Sequence, residues 1–543
     1  MTCPPCVESG FHVNTVQVDV AVIGAGTAGL AAYRAARAAG ATAAIVEGGA
    51  YGTTCARVGC MPSKLLIAAA EAAHAVRKAP GFGVHFEGGI RVNGCEVMDR
   101  VRRERDRFVG FVLREVERIP KADRIQGCAR FVDNHTLEVD GQPRVTAKSI
   151  VIATGSQATY PDSFKALGDR LIISDDVFDW TELPKAVAVI GPGIIGLELG
   201  QALHRLGVHV VVLGRGGRVG PISDTEIRTY AIATFNEEFV LEPDALISAM
   251  QRDGDRVAIG RTAPNGSQET EHFDYVLAAT GRTPNVKGIG LENTTLKLDS
   301  KGVPSFDPLT TRTVNADGTS PILIAGDTSN FIPLLHEAAD EGRIAGGNAA
   351  RLALGKQVNP GLRRAPIGVV FTDPQIGIVG GGFHSMKPGT FATGQVSFED
   401  QGRSRILLRN KGLLNVYGDL ATGHFRGAEM LAPGAEHLAH LLAWALQAGM
   451  TVAQMLEMPF YHPVIEEGLR TALRALHTKL SARLRAGRAV VGKANGDDVI
   501  DALGISQFAP DGGQPRAADP GAVAGRGTAL RCRAPARLSV GPS

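Results

Sequence analysis

Val18-Asp19-Val20-Ala21-Val22-Ile23-Gly24-Ala25-Gly26-Thr27-Ala28-Gly29 decides the fold of this chain. A short apolar strand runs straight into glycines at the spacing GxGxxG, and an alanine-rich helix follows to about Ala39. Gly40 stops that helix, and Thr42 to Val46 reads as the next strand, ending in Glu47. The three glycines have separate tasks: a tight turn, close approach of backbone to a pyrophosphate, and close helix–strand contact. The pyrophosphate belongs at the helix N-terminus, where unpaired N–H groups and the dipole favour an anion. Glu47 stands where a ribose hydroxyl needs an acceptor. Gly24, Gly26, Gly29 and Glu47 are therefore the first candidate ligands.

The same design recurs. Ala186 to Ile190 reads as a strand, Gly191-Pro192-Gly193-Ile194-Ile195-Gly196 as the loop, Leu197 to Leu206 as the helix and Val208 to Leu213 as the next strand. Two such folds in one chain imply two nucleotides. The second copy ends Leu213-Gly214-Arg215, with no carboxylate at the ribose station. Arg215 and Arg218 read equally well as partners of a 2′-phosphate and as solvated loop arginines. Ser149 to Gly155, which carries Thr154, Tyr275 to Arg282, which carries Gly281, and Ile322 to Asp327 read as three further strand ends. Together they predict an α/β chain with the second nucleotide fold, 156–280, inserted into the first, 1–155 and 281–360.

Within the first fold, just after its strand–loop–helix, lies Thr54-Cys55-Ala56-Arg57-Val58-Gly59-Cys60-Met61-Pro62-Ser63-Lys64. In a regular helix, residues five apart rise about 7.5 Å along the axis. A disulfide needs Cα atoms roughly 4.4–6.8 Å apart. If the two cysteines pair, the segment must bend, and Gly59 supplies the freedom. Pro62 suits the first turn of a helix beginning around Cys60. A thiolate at such an N-terminus is stabilised by the dipole and the unpaired N–H groups.

From about Leu362 the pattern changes. Ile367–Thr372, Gln375–Gly380, Gly394–Phe398, Ile406–Arg409 and Gly412–Tyr417 read as short strands, and Ala435–Ala448 and Val452–Met458 as helices. Strands followed by helices predict an α+β module over 361–485. Residues 486–543, rich in Pro, Gly, Ala and Arg towards the end, read as a disordered tail. Lys and Arg number 57 against 55 Asp and Glu, so charge implies no polyanionic partner and no nucleic acid. No apolar run is long enough to span a membrane. Seven cysteines in 543 residues make no secreted disulfide framework, and no secretory signal opens the chain. A reducing cytoplasm is expected.

Taken in order, GAGTAG, TTCARVGCMPSK, VIATG, GPGIIGLE, AATGRTPN, IAGD, VFTDPQIGIVG and YHPVIEE resemble the class I flavoprotein disulfide reductases over roughly Val18 to Leu480. The resemblance implies FAD in the first fold, NAD or NADP in the second, and a dimer interface in the C-terminal module. It makes Cys55 the interchange sulfur and Cys60 the sulfur beside the flavin. His462 and Glu467 match the family's HPxxxE, whose histidine serves the partner subunit's disulfide in a homodimer. Lys64 and Glu198 resemble the ion pair beside the flavin, Asp327 the aspartate on the ribityl chain, and Arg282 an arginine at the domain junction. Thr54, Thr154, Gly155 and Gly281 fall within cofactor-binding motifs. No metal is expected.

The resemblance is strongest to enzymes that oxidise dihydrolipoamide, with a separate lipoyl-bearing acyltransferase as a further partner. Its departures are Arg57 in place of an asparagine, a single glycine before Thr53, Tyr461 ahead of His462, and the absent carboxylate near Gly214. They leave open an NADPH-dependent reductase of another small disulfide. A mercury-reducing role is weakly suggested by Cys3 and Cys6, and opposed by a lone Cys532 where a vicinal pair is required. A redox-inert flavin-binding assembly subunit is the third alternative.

Overall fold

The computed structural model describes residues 15–491, except 263–265, 316–317 and 319. The chain divides into two units, Met1–Leu484 and Arg485–Ser543. Cys3, Cys6 and Cys532 lie outside the described residues, as does the expected tail beyond 491. The tail's expected start is corrected: residues 486–491 are the end of a helix, Glu466–Val491.

The first sheet is built on the strand Thr15–Ile23. It pairs in parallel with Ala43–Glu47 on one side and Arg144–Ile152 on the other. Ile322–Ile324 joins the far edge of Arg144–Ile152, again in parallel. Val20 to Ile23 are almost wholly buried, as a central parallel strand covered on both faces must be. The helix Thr27–Ala38 packs on Leu335–Ala353 at backbone distance. A Cβ on Gly342 would lie 2.2 Å from the Ala28 oxygen, and one on Gly346 2.0 Å from the Ala32 oxygen.

The second sheet repeats the scheme. Val240–Glu242, His209–Leu213, Ala186–Ile190, Tyr275–Ala278 and Leu171–Ile172 lie side by side, all parallel. A separate antiparallel sheet, Leu246–Asp253, Arg256–Thr262 and Gln268–Phe273, comes with it. The chain passes between the two parallel sheets twice, and the two passages form a ribbon. Ser156–Ala158 pairs antiparallel with Arg282–Pro284.

The third sheet is antiparallel, in the order Ile367–Val370, Gln375–Val379, Phe425–Ala432, Leu413–Asp419, Phe391–Ser397. The helix Ala435–Gln447 buries Leu438, Ala439 and Leu442 in its core. Two expectations fail here. Ile406–Arg409 is not a strand: Gly402–Ile406 is a short helix capped by the Gln401 side chain, and Leu408 follows at φ +51°. The strand Phe425–Ala432 was not anticipated, because a buried glutamate, Glu429, interrupts its apolar pattern.

Candidate active site

The cysteine segment bends where its glycine stands. Thr53, at φ +58°, caps the one-turn helix Thr54–Val58, its hydroxyl accepting the Ala56 N–H at 3.3 Å. Gly59, at φ −126° and ψ −120°, breaks the helical path, and Cys60 opens a new helix, Cys60–Lys78, with Pro62 buried in its first turn. A Cβ on Gly59 would lie 3.0 Å from the Thr54 oxygen and 3.2 Å from the Cys55 Cα. The closeness of that turn brings the second sulfur back to the first. Cys55 and Cys60 are both thiols, hydrogen-bonded to one another.

That bond divides the pair. The Cys55 thiol donating to it, helped by the Lys64 ammonium, brings Cys60 down to about 6, against the opposing effect of burial. The same bond to Cys60, with burial second, pushes Cys55 up. The first proton therefore leaves Cys60 and the second stays on Cys55. The sequence places a stabilised thiolate at the N-terminus of the helix that begins at Cys60, and Cys60 is the sulfur whose pKa is lowered.

Lys64 Nζ stands 2.7 Å from Glu198 Oε2. Glu198 is buried, and its other oxygen accepts the Phe371 N–H at 2.9 Å. Lys64 also lies over the Phe371 ring, 4.6 Å from its centre. Three elements meet at this ion pair: the cysteine helix, the helix Ile194–Arg205 of the second nucleotide fold, and the chain just after the strand Ile367–Val370. A buried carboxylate needs such complete pairing. Phe371 was not singled out from the sequence, because an apolar residue beside a strand carries no chemical signal.

The glycine loops repeat each other atom for atom. Gly24, at φ +99°, faces the Ala153 oxygen, where a Cβ would come within 2.3 Å, and one on Gly29 would lie 1.8 Å from the Gly24 oxygen. Gly191 and Gly196 show the same approaches to Ala279 and Gly191, at 2.4 and 2.0 Å. A Cβ on Gly26 or Gly193 would meet nothing within 4 Å. The protein itself excludes a side chain at the outer glycines. At the middle glycine a side chain would meet no protein atom, which leaves room for the pyrophosphate expected from the sequence. In the first loop Glu47 accepts the Ala25 N–H through Oε2 and the Gly49 N–H through Oε1, both at 2.7 Å.

The remaining candidates gather at the ribbon. Thr154 donates to the Asn285 carbonyl at 2.6 Å, and the Gly155 N–H donates to the Thr328 hydroxyl at 2.6 Å. Arg282 donates to the Ser156 hydroxyl and carbonyl at 2.9 and 2.7 Å, and the Ser156 hydroxyl donates to Asp327 at 2.7 Å. Ser156 and Thr328 thus join four of the expected residues, Thr154, Gly155, Arg282 and Asp327, although neither was picked out. Each adjoins a motif residue, which was the available signal. Gly281 takes φ +130° beside Arg282. Thr54 is exposed at the start of the short cysteine helix, and Arg215 is exposed beyond the strand His209–Leu213.

Apart from all these stands the histidine. His462 Nδ1 lies 2.9 and 3.0 Å from the two oxygens of Glu467, and its side chain is 81% exposed. The bond to His462 lowers the Glu467 pKa. Tyr461 and Trp444, 80% and 70% exposed, show large rings on the same module. No group of three or more His, Cys, Asp or Glu suited to a metal occurs among the described residues. Nor does any described helix have the length and apolarity to cross a membrane.

Residues 18–342 match the pyridine nucleotide-disulphide oxidoreductase family, and residues 367–473 match its dimerisation domain. A dihydrolipoyl dehydrogenase from Thermus scotoductus is 31% identical over 475 residues, covering 84% of this chain and 97% of that protein. A mercuric reductase from Staphylococcus aureus is 29% identical over 461 residues, covering 84% and 81%. Among solved structures, LpdA from Mycobacterium tuberculosis superposes with a TM-score of 0.71 at 24% identity, covering 84% of this chain and 99% of that one. RclA, a HOCl-induced flavoprotein disulfide reductase from Escherichia coli, does so at 0.69 and 21%, covering 85% and 99%. These last two likenesses speak for the fold. With both family regions matched in order, the chain belongs to the pyridine nucleotide-disulphide oxidoreductase family, whose members use FAD and NAD(P)H.

Proposed function

We propose that this protein is a homodimeric dihydrolipoyl dehydrogenase, passing electrons from dihydrolipoamide through Cys55 and Cys60 to FAD and on to NAD(P)+. The observation that carries the reading is the unequal cysteine pair beside Lys64 and Glu198. In this reading the first fold, 1–155 and 281–360, holds FAD through Gly24, Gly26, Gly29, Glu47, Thr154, Gly155 and Asp327, and the second, 156–280, holds the nicotinamide nucleotide. FAD, when bound, supplies the two-electron chemistry that returns the dithiol to the disulfide.

The protein's own part is sulfur and proton chemistry. In the oxidised enzyme Cys55 and Cys60 are bridged. A substrate thiolate attacks the Cys55 sulfur, the S–S bond breaks, and Cys60 leaves as a thiolate. A thiol with a pKa of about 6 is a good leaving group at neutral pH. The second substrate sulfur then closes the substrate disulfide, and Cys55 departs from it as a thiol. Of the two protons lost by dihydrolipoamide, one ends on Cys55 and the other on a histidine. That histidine is His462 of the partner subunit, oriented by its glutamate and exposed enough to reach across an interface. The setting is the cytoplasm, and a separate lipoyl-bearing acyltransferase is the partner that would present the substrate.

One observation favours a second reading, an NADPH-dependent reductase of another small disulfide. Arg215 is exposed where a ribose-binding carboxylate is absent. Anaerobic mixing separates the possibilities. Dihydrolipoamide should bleach the flavin absorbance, and Cys55→Ser should abolish that bleaching while the flavin stays bound. Bleaching by NADPH but not by dihydrolipoamide supports the second reading. A flavin that neither reduces is a redox-inert subunit, and both readings fall.

A further inference from the structure

The two nucleotide folds of this chain can be read against each other residue by residue. In the first, Ile23 lies opposite Val46 and the Gly24 N–H donates to the Val46 oxygen at 2.7 Å. In the second, Ile190 lies opposite Leu213 and the Gly191 N–H donates to the Leu213 oxygen at 2.8 Å. This register puts Gly214 at the station of Glu47, and Pro192 at the station of Ala25. In the first fold these two stations are joined, the Ala25 N–H donating to the Glu47 carboxylate at 2.7 Å. In the second fold both halves of that bond are gone: proline has no N–H, and glycine has no carboxylate.

The loss is fixed by packing. A Cβ on Gly214 would lie 2.6 Å from Pro192 Cδ, from Pro192 Cγ and from the Pro243 oxygen. No acidic side chain can stand there without moving both prolines. The nearby carboxylates are engaged. Glu242, at the end of the neighbouring strand, is paired with Arg261. Asp244 Oδ1 accepts the Gly216 N–H at 2.7 Å and so holds the loop after Gly214. Along that loop stand Arg215 and Arg218, both exposed, with no hydrogen bond or ion pair to any described residue. An acceptor of ribose hydroxyls has been replaced by two free cations.

We infer that the second fold selects a dinucleotide bearing a 2′-phosphate, NADP(H) in place of NAD(H), and that Arg215 and Arg218 are the residues that hold that phosphate. Charge-assisted bonds from guanidinium to phosphate favour the phosphorylated ligand, and the missing acceptor disfavours a free 2′-hydroxyl. The inference rests on the proposed binding of a nicotinamide dinucleotide by this fold, and on nothing about the cysteines.

Calorimetric titration of the FAD-loaded dimer with 2′,5′-ADP and with 5′-ADP, neither of which carries a nicotinamide, tests it. The expected result is that 2′,5′-ADP binds about tenfold or more tightly. Arg215→Ala and Arg218→Ala should each remove most of that preference and leave 5′-ADP binding unchanged. Equal affinity, or tighter 5′-ADP, overturns the inference. So does loss of 5′-ADP binding in Asp244→Asn together with an unchanged preference in both arginine variants, since Asp244 would then be a ribose acceptor. None of these outcomes touches the flavin bleaching by dihydrolipoamide, so the inference and the proposed function can fail separately.

Discussion

At Cys55 and Cys60 one hydrogen bond acts in opposite senses, and the direction of exchange follows from it. Because Cys60 is an acid whose pKa is lowered, its thiolate is present above about pH 6 and is lost as the pH falls through that value. In the reduced enzyme, thiolate absorbance in the ultraviolet is expected to show its first step near pH 6. Lys64→Met should move that step upward, because the ammonium is one of the causes of the lowering; a step that stays in place would deny Lys64 any electrostatic role. The chemistry of these residues was legible in sequence because it depends on residue type and spacing. The inequality between the two sulfurs was not, because it depends on the bond between them and on the Lys64 ammonium beside Cys60, which come together only in three dimensions.

At the scale of elements, the glycine loops separate folding from binding. Gly29→Ala would drive a methyl group to within 1.8 Å of a backbone oxygen. It should destabilise the protein by about 1–3 kcal/mol, seen in chemical denaturation. Gly193→Ala meets no protein atom within 4 Å. It should leave stability unchanged and, with the proposed pyrophosphate lying against this loop, weaken nicotinamide nucleotide binding about tenfold or more. Equal stability losses in the two variants would remove the distinction. The strands Ala186–Ile190 and Ile322–Ile324 were readable because buried parallel strands are unbroken apolar runs. Ile406-Leu407-Leu408 has the same appearance, but the Gln401 cap turns the chain into a helix just ahead of it. Phe425–Ala432 hid behind Glu429, which takes the N–H groups of Ser223 and Asp224 from the second nucleotide fold and of Phe383 from its own module. A buried carboxylate with distant donors cannot be recognised from its own neighbours in sequence.

For the whole molecule, the question is which subunit's histidine serves which cysteine pair. Cys55→Ser and His462→Ala are each expected to be inactive. Mixed and allowed to exchange subunits, they should recover about a quarter of wild-type activity, because half the dimers then contain one complete site out of two. No recovery, with exchange confirmed by mass spectrometry, would place the histidine on the same chain as its cysteines. The ribbon of Ser156–Ala158 with Arg282–Pro284 has its own consequence. Everything from Thr159 to Gly281 leaves and returns through two threads zipped together, and the Thr159 N–H bonds the Gly281 oxygen where they part. A double thread resists splaying but yields to torsion. The intervening segment is also pinned to the cysteine helix by Glu198 on Lys64 and to the C-terminal module by Ser223 and Asp224 on Glu429, so the ribbon is one fastening among several and any twist of it must carry the cysteine helix along.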